Sequence, residues 1–215
     1  MKIAIFVDMQ NDFVKPNGSL KYAYPNRDIS NDVIAFAKEC RSKGWMLYAT
    51  ADTHKPSYGE TANGLPYKRE DGYLSTLEGQ KLPIEHCIEG LEGHKIIDGL
   101  VKDENRDVII PQGHIIDKPT FGSFDLLARI DQDFVVDTYG NLTRQSKYDG
   151  IGENLEEIHV CGVCTSICVI SNALLFRTKY PNVKIFVHEN LCGDINKEAH
   201  KSALAVMKNC QIDIV

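Results

Sequence analysis

The sequence predicts a three-layer α/β fold in which helices cover both faces of a mostly parallel, six-stranded sheet. Short and nearly continuous apolar runs indicate strands that are buried on both faces. Segments with helical periodicity alternate with these runs, as is typical of parallel strands joined by right-handed crossovers. The predicted strands are residues 2–8, 45–50, 107–111, 133–137, 157–163 and 183–189.

Amphipathic helices are predicted between these strands. In residues 28–44, Ile29, Val33 and Ala37 lie on or near one stripe, and Gly44 marks the end of the helix. The other predicted helices are an amphipathic segment after Ser123, residues 165–182 and residues 195–209.

Length and composition fit one globular domain over residues 1–215, with 43% apolar and 25% charged residues. The formal charge of −6 argues against a nucleic-acid partner and favours a small molecule. The apolar N-terminal run is too short to span a membrane and lacks a signal-peptide cleavage site, so we expect a cytoplasmic protein that does not bind membranes. The odd number of cysteines, seven, and their clustering predict free thiols.

One segment, residues 55–90, breaks the alternation because it is rich in Gly, Pro and Tyr without a clean period. A loop this long in a compact domain is usually functional. Ligands of open α/β sheets bind beyond the carboxyl ends of the strands. We therefore expect residues from about 52 to 90 to contribute a substrate and metal site.

Three residues of this region have the donor atoms of a metal site. Asp52 and His54 are two positions apart after a predicted strand, so their side chains point to the same side of an extended segment. His86 offers a third donor. Oxygen and nitrogen donors of this kind suit zinc, iron or manganese, and few protein ligands indicate a catalytic ion. The alternatives are a chance Asp-x-His pair and a surface imidazole at position 86.

The run "VCGVCTSICVI" brings Cys161, Cys164 and Cys168 close together in the sequence. Cys161 and Cys164 form a C-x-x-C pattern, but a zinc ribbon needs a second ligand pair and none is evident. Cys161 falls in a predicted strand and is expected to pack in the core.

Cys168 has a different setting, in the first turn of a predicted helix. Gly162 permits an unusual backbone conformation, and Thr165 or Ser166 can cap the helix. The helix start lowers the pKa of a thiol, and its free N–H groups can hold an oxyanion. A nucleophile and a plain buried thiol both remain open on these grounds.

Two charged residues complete the candidate site. Asp8 ends the first predicted strand and should meet Cys168 at one edge of the sheet. Lys118 opens a loop that leads through Gly122 into a helix. Taken alone, Asp8 can equally cap a turn and Lys118 can be a solvated side chain.

Five motifs together resemble the isochorismatase-like cysteine hydrolases, and among them most closely the nicotinamidases (pyrazinamidases). The motifs are "DMQNDF", "ATADTH", "PIEHC", "DKPTFGSF" and "GVCTSICV". They occur in the family's order, from the first strand to about residue 195. The resemblance implies a Rossmann-like, three-layer fold and a cysteine hydrolase that acts on a small-molecule amide.

The resemblance also implies roles for individual residues. Asp8 falls on the family's acid, Lys118 on its cationic partner and Cys168 on its nucleophile. The backbone N–H groups of Cys164 and Cys168 are implied as the oxyanion hole. A cis peptide bond is implied between Val163 and Cys164.

A divalent metal, zinc first with iron or manganese as alternatives, is implied at Asp52, His54 and His86. It would orient the substrate ring beside Phe13, and no organic cofactor is expected. The family is commonly oligomeric, so we expect a homo-oligomer.

The chain departs from the family pattern ahead of the third ligand, where nicotinamidases usually carry a tryptophan and this chain has Leu82. Tyr58, Tyr67 or Tyr73 could replace that ring, and Glu60 could add a contact to the metal. The departure leaves a related hydrolase with another small amide as an alternative. A non-enzymatic thiol or metal-binding module is the third hypothesis.

Overall fold

The computed structural model describes residues 1–136, 142–144 and 155–215. Its strands are β1 (Lys2–Val7), β2 (Met46–Asp52), β3 (Tyr58–Glu60), β4 (Pro66–Lys68), β5 (Ile115–Lys118), β6 (Phe134–Val136), β7 (Leu142–Arg144), β8 (Glu157–Val163), β9 (Lys184–Gly193) and β10 (Asp213–Ile214). Its α-helices are α1 (Asn11–Val14), α2 (Ser30–Ser42), α3 (Leu77–Lys81), α4 (Phe124–Asp133), α5 (Ile170–Lys179) and α6 (Lys197–Asn209).

A six-stranded parallel sheet, in the order β10-β9-β8-β1-β2-β5, forms the centre of the molecule. The chain moves from β1 to β2 in one direction and from β8 through β9 to β10 in the other. Right-handed connections therefore place α2 on one face and α5 and α6 on the opposite face. The predicted three-layer α/β fold with six strands is confirmed.

The apolar residues of β1 and β8 form the core, because both strands lie in the middle of the sheet. Ile3 to Val7 are fully buried, which matches the uninterrupted apolar run in the sequence. The strand order reverses between these two strands. Ligands of such folds bind in the crevice at this switch point, beyond the carboxyl ends of the strands.

Two of the predicted strands are wrong. One lies at a different position in the sequence, and the other does not belong to the central sheet. Residues 107–111 form no strand, although Ile109 and Ile110 are buried, and β5 takes the place beside β2. An apolar run alone does not distinguish a buried loop from a strand. The segment predicted at 133–137 forms β6, which pairs with β7 in a separate antiparallel sheet, and residue 137 lies outside the described residues.

The predicted helices are confirmed with shorter bounds, as α2, α4, α5 and α6. Ile29, Val33 and Ala37 are buried, as the stripe predicts. The irregular segment contains a small β3–β4 hairpin and the short helix α3. Among the described residues, none of the helices combines the length and the apolar character that crossing a membrane requires.

Candidate active site

Asp8, Lys118 and Cys168 meet at the carboxyl edge of the central strands. The Lys118 Nζ lies 2.7 Å from a carboxylate oxygen of Asp8 and 3.5 Å from the Cys168 Sγ. Asp8 is also near enough to the thiol to raise its pKa. Thr50 donates a hydrogen bond to the other carboxylate oxygen at 2.6 Å. All three groups are buried, so an acid, a cation and a thiol interact in a water-poor environment.

The electrostatics of this group follow from burial and from the short contacts. Burial raises the pKa of Asp8, and the neighbouring Lys118 offsets part of that rise. Burial opposes the charge on Lys118, yet the carboxylate of Asp8 raises the pKa of the ammonium above its ordinary value. Lys118 is therefore a permanent cation beside a carboxylate that can take up a proton.

Burial raises the pKa of the Cys168 thiol well above its ordinary value, and the charge of Asp8 adds to the rise. The lowered pKa expected from the helix start is therefore not found. Desolvation of a fully enclosed thiolate outweighs the helix dipole. A thiol with a raised pKa needs a neighbouring base to form a thiolate, and the carboxylate of Asp8 is the acidic group with the largest charge effect on this thiol.

The backbone before Cys168 has the shape that the sequence predicts. Gly162 has a φ of 124°, and a Cβ there would lie 2.1 Å from the Val7 carbonyl oxygen. The Val163–Cys164 peptide is cis, as the resemblance implies. The chain then enters a single π-helical turn, Thr165–Val169, that continues into α5.

The cap of this turn is not the one predicted. Neither Thr165 nor Ser166 caps it with its own side chain. The carboxylate of Asp194, which follows β9, accepts the Ser166 N–H at 2.7 Å and the Ser166 hydroxyl at 2.9 Å. Asp194 is far away in the sequence, so a local pattern does not reveal it.

Asp52, His54 and His86 form a group that could hold a metal ion. One donor atom from each residue lies within 4.8 Å of the other two, and all three side chains are buried. The Asp52 Oδ2 lies 3.0 Å from the His54 Nε2 and 3.3 Å from the His86 Nε2. Burial by itself would raise the pKa of Asp52. The hydrogen bonds with the two imidazoles have the larger effect, so the pKa is lower than its ordinary value.

Lys118 connects the two groups. Its Nζ lies 3.6 Å from the Asp52 Oδ1 as well as 2.7 Å from Asp8. The possible metal ligands and the thiol therefore belong to one continuous buried polar cluster, which we call the cleft cluster: Asp8, Asp52, His54, His86, Lys118 and Cys168.

Aromatic rings surround the possible metal ligands. The ring of Phe13 lies 5.5 Å from that of His86. Tyr73 is fully buried, its ring lies 4.7 Å from His54 and 5.0 Å from His86, and its hydroxyl donates to the Leu82 carbonyl. Tyr73 thus supports both imidazoles.

The remaining candidates from the irregular segment lie in the β3–β4 hairpin. Tyr58 and Tyr67 are exposed there, and so is Glu60. A different carboxylate, Glu78 of α3, lies 3.7 Å from the His86 Nε2, and burial raises its pKa. Sequence reasoning missed Glu78 because no motif or period marks it.

Comparison with known proteins identifies the family. The isochorismatase domain model matches residues 2–215. The chain belongs to the isochorismatase family. A nicotinamidase of Schizosaccharomyces pombe is 27% identical in an alignment that covers 98% of this chain and 91% of that protein.

Two solved structures have the same fold as this chain. Nicotinamidase PncA from Bacillus subtilis has a TM-score of 0.70 at 21% identity, over 100% of this chain and 98% of that chain. Pyrazinamidase of Pyrococcus horikoshii in complex with zinc has a TM-score of 0.63 at 22% identity, over 100% and 98% of the two chains. The family resemblance and the fold predicted from the five motifs are confirmed.

Two buried side-chain amides of this isochorismatase-family site were not singled out from the sequence. Gln10 makes hydrogen bonds to the main chain of Asp52. Asn172 makes hydrogen bonds to the main chain of Cys168 and Ser123. Gln10 follows Asp8 by two positions and Asn172 follows Cys168 by four. These short spacings were the available signal.

Proposed function

We propose that this protein hydrolyses nicotinamide to nicotinate and ammonia with Cys168 as the nucleophile. The observation that carries the proposal is the cleft cluster, in which a buried acid, cation and thiol adjoin a buried Asp-His-His set. Membership of the isochorismatase family supports a hydrolase, and the relative named nicotinamidase supports a small amide as substrate.

In the first half-reaction, the Asp8 carboxylate takes the proton of the Cys168 thiol. The Sγ then attacks the amide carbon, and the backbone N–H groups of Cys164 and Cys168 hold the oxyanion. Lys118 stabilises the negative charge as it moves from the carboxylate to the thiolate. Asp8 then gives its proton to the leaving nitrogen, the C–N bond breaks, and ammonia leaves a thioester on Cys168.

In the second half-reaction, the same Asp8 takes a proton from a water molecule that attacks the thioester carbon. The C–S bond breaks, the proton on Asp8 returns to the Cys168 sulfur, and the product leaves as the acid, which loses its remaining proton to solvent and becomes nicotinate. The raised pKa of Asp8 suits this role because the group must both accept and return a proton.

The residues present fit a divalent metal. Asp52 stays ionised, and the two imidazoles offer nitrogen donors on its Oδ2 side. Such a set suits zinc first, with iron or manganese as alternatives. When bound, the ion supplies a Lewis-acidic position for the pyridine nitrogen or for a water molecule. Phe13 and the imidazole of His86 then shape the wall against which the ring is oriented.

The alternative substrate, another small amide, is favoured by one observation. Leu82 stands where the family carries a tryptophan, and Tyr73, the described tyrosine that packs on the two imidazoles, is fully buried. A thiol-based metal module has less support, because the possible metal group found among the described residues contains no cysteine. The cytoplasmic location and the homo-oligomer remain predictions.

Ammonia release from nicotinamide tests the proposal. The parent protein, its Cys168→Ala variant and a chelated, metal-depleted sample should be compared. We expect release by the parent alone and its recovery in the depleted sample when zinc is returned. Release from another aromatic amide, without release from nicotinamide, would keep the cysteine mechanism and replace the substrate. Full release by the Cys168→Ala variant would contradict the mechanism.

A further inference from the structure

The side chain of Gln10 is fully buried and makes three hydrogen bonds beside the possible metal ligands. Its Nε2 donates to the carbonyl oxygens of Asp52 and His94, both at 2.8 Å. Its Oε1 accepts the Asp52 N–H at 2.7 Å. The partners fix the orientation of the amide, because a backbone N–H only donates and a carbonyl only accepts. One side chain thus holds both main-chain groups of Asp52.

The sheet explains why Asp52 needs such a partner. β1 and β2 are paired up to Val7 and Thr50, after which the chain turns away at Asp8, whose φ is 48°. β2 continues for two more residues and pairs with Lys118 of β5 on its other side.

The main-chain groups of Asp52 that face β1 therefore have no backbone neighbour at this point. Buried main-chain groups without partners are strongly unfavourable. The Gln10 amide occupies the place of the missing β1 peptide and completes the pairing.

We propose that Gln10 is a positioning residue that sets the place of the Asp52 carboxylate, and with it the metal-ligand geometry, by holding the Asp52 main chain. This inference rests on the proposed function, because it takes Asp52 as a metal ligand. The end of β2 is then fixed from two sides, because the Thr53 N–H donates to the Lys118 carbonyl and Gln10 binds the main chain of Asp52. The segment from Asp8 to Gln10 thus supplies both the acid of the mechanism and the side chain that holds Asp52 in place.

Asn172 provides a matched control elsewhere in the cleft. It is also fully buried and also makes three hydrogen bonds. Its Oδ1 accepts the Ser123 N–H at 3.0 Å, and its Nδ2 donates to the carbonyl oxygens of Phe121 at 3.1 Å and Cys168 at 2.8 Å. These bonds join the turn that carries Cys168 to the loop after Lys118. None of them involves Asp52, His54 or His86.

The test is Co²⁺ binding to the full, metal-free chain, followed by visible absorption and by competition with a chelator. Gln10→Met keeps the length of the side chain and removes all three hydrogen bonds. We expect it to weaken Co²⁺ binding by about tenfold or more, the usual effect of losing an outer partner of a metal ligand, and to change the absorption spectrum of the bound ion. Asn172→Leu should keep both the affinity and the spectrum of the parent.

Each of the following results would overturn the inference. Parent-like Co²⁺ binding by Gln10→Met would remove the positioning role and leave the metal site intact. Equal weakening by Asn172→Leu would show general loosening of the cleft instead. A parent that binds neither Co²⁺ nor Zn²⁺ would remove the proposed metal site and this inference with it. If Gln10→Met does not fold, Gln10→Asn, whose amide is one methylene too short, should show the same loss, and parent-like binding by it would also overturn the inference.

Discussion

The ammonium nitrogen of Lys118 lies 2.7 Å from a carboxylate oxygen of Asp8, and the two side chains are 1% and 0% exposed. A buried ion pair of this kind contributes little net stability, because the attraction between the charges is offset by the loss of their hydration. Removing one partner is a different matter, since it leaves the other charge buried without compensation. The Asp8–Lys118 pair can therefore be tested by the stability of single and double variants, without measuring activity.

Lys118→Met should lower the free energy of unfolding by about 3–5 kcal/mol, because it leaves Asp8 buried without its cation. The double variant Asp8→Asn with Lys118→Met should recover a large part of that loss. Urea denaturation of the parent, both single variants and the double variant measures the coupling. Neither single variant nor the double variant should release ammonia. A double variant as unstable as the sum of the two single changes would contradict a direct interaction.

Cys164→Ala should keep most of the activity, whereas Cys168→Ala should lose it. Both thiols lie near Asp8, and burial raises the pKa of the Cys164 thiol to about 12. Only Cys168 has the Lys118 ammonium against its sulfur. Parallel assays of ammonia release and thermal unfolding on the two variants check the prediction. Inactivity of both variants at parent-like stability would mean that Cys164 also takes part in the chemistry.

Metal affinity should separate Asp52 from Glu78. Both Asp52→Asn and Glu78→Gln remove one negative charge near the His86 imidazole. Only Asp52 belongs to the group of possible ligands, so its variant should lose Zn²⁺ binding while the Glu78 variant retains it with a modest loss. Competition with a chromophoric chelator measures both affinities. Equal losses in the two variants would instead indicate that Glu78 binds the ion.

The fold was largely predictable from the sequence because β1 and β8 are buried on both faces and therefore read as uninterrupted apolar runs. The third strand was misplaced because Ile109 and Ile110 are buried in a connecting segment without strand pairing. An apolar run indicates that a segment is buried. It does not indicate whether the segment also forms the backbone hydrogen bonds of a strand.

The candidate site was predictable as a set of residues and less so as a chemical environment. Motifs placed Asp8, Asp52 and Cys168 at one sheet edge. The pKa of Cys168 depends on complete burial, and the local helix-start argument gives its direction wrongly. The hydrogen bonds of Gln10 with Asp52 join positions 42 residues apart, and Asp194 caps a turn that lies 28 residues earlier in the chain. Such contacts arise from tertiary packing and leave no local pattern.

Stability should decline as the pH falls from about 6.5 toward 4, because one buried and one half-buried imidazole resist protonation in the folded state. The Nδ1 of His159 lies 2.9 Å from the Nε2 of His188, and the Nε2 of His159 lies 2.9 Å from Glu157. Burial lowers the pKa of both imidazoles, that of His188 to about 4. The unfolded chain, with its ordinary value of about 6.5, therefore binds protons first as the pH falls.

His188→Gln should flatten this pH dependence, since it removes one of the two groups and keeps a polar side chain. Urea midpoints of the parent and the variant at several pH values between 7 and 4 measure the difference. Parallel curves for the two proteins would show that His188 titrates alike in the folded and unfolded chains.

The most direct test of the cysteine mechanism is to trap the acyl-enzyme. The protein is mixed with nicotinamide, quenched in acid within the first turnovers and digested for mass spectrometry. We expect a nicotinoyl thioester on the peptide that contains Cys168, absent from the Cys168→Ala variant and present in the Cys164→Ala variant. A nicotinoyl group on Cys164, or turnover of nicotinamide by the Cys168→Ala variant, would contradict this mechanism.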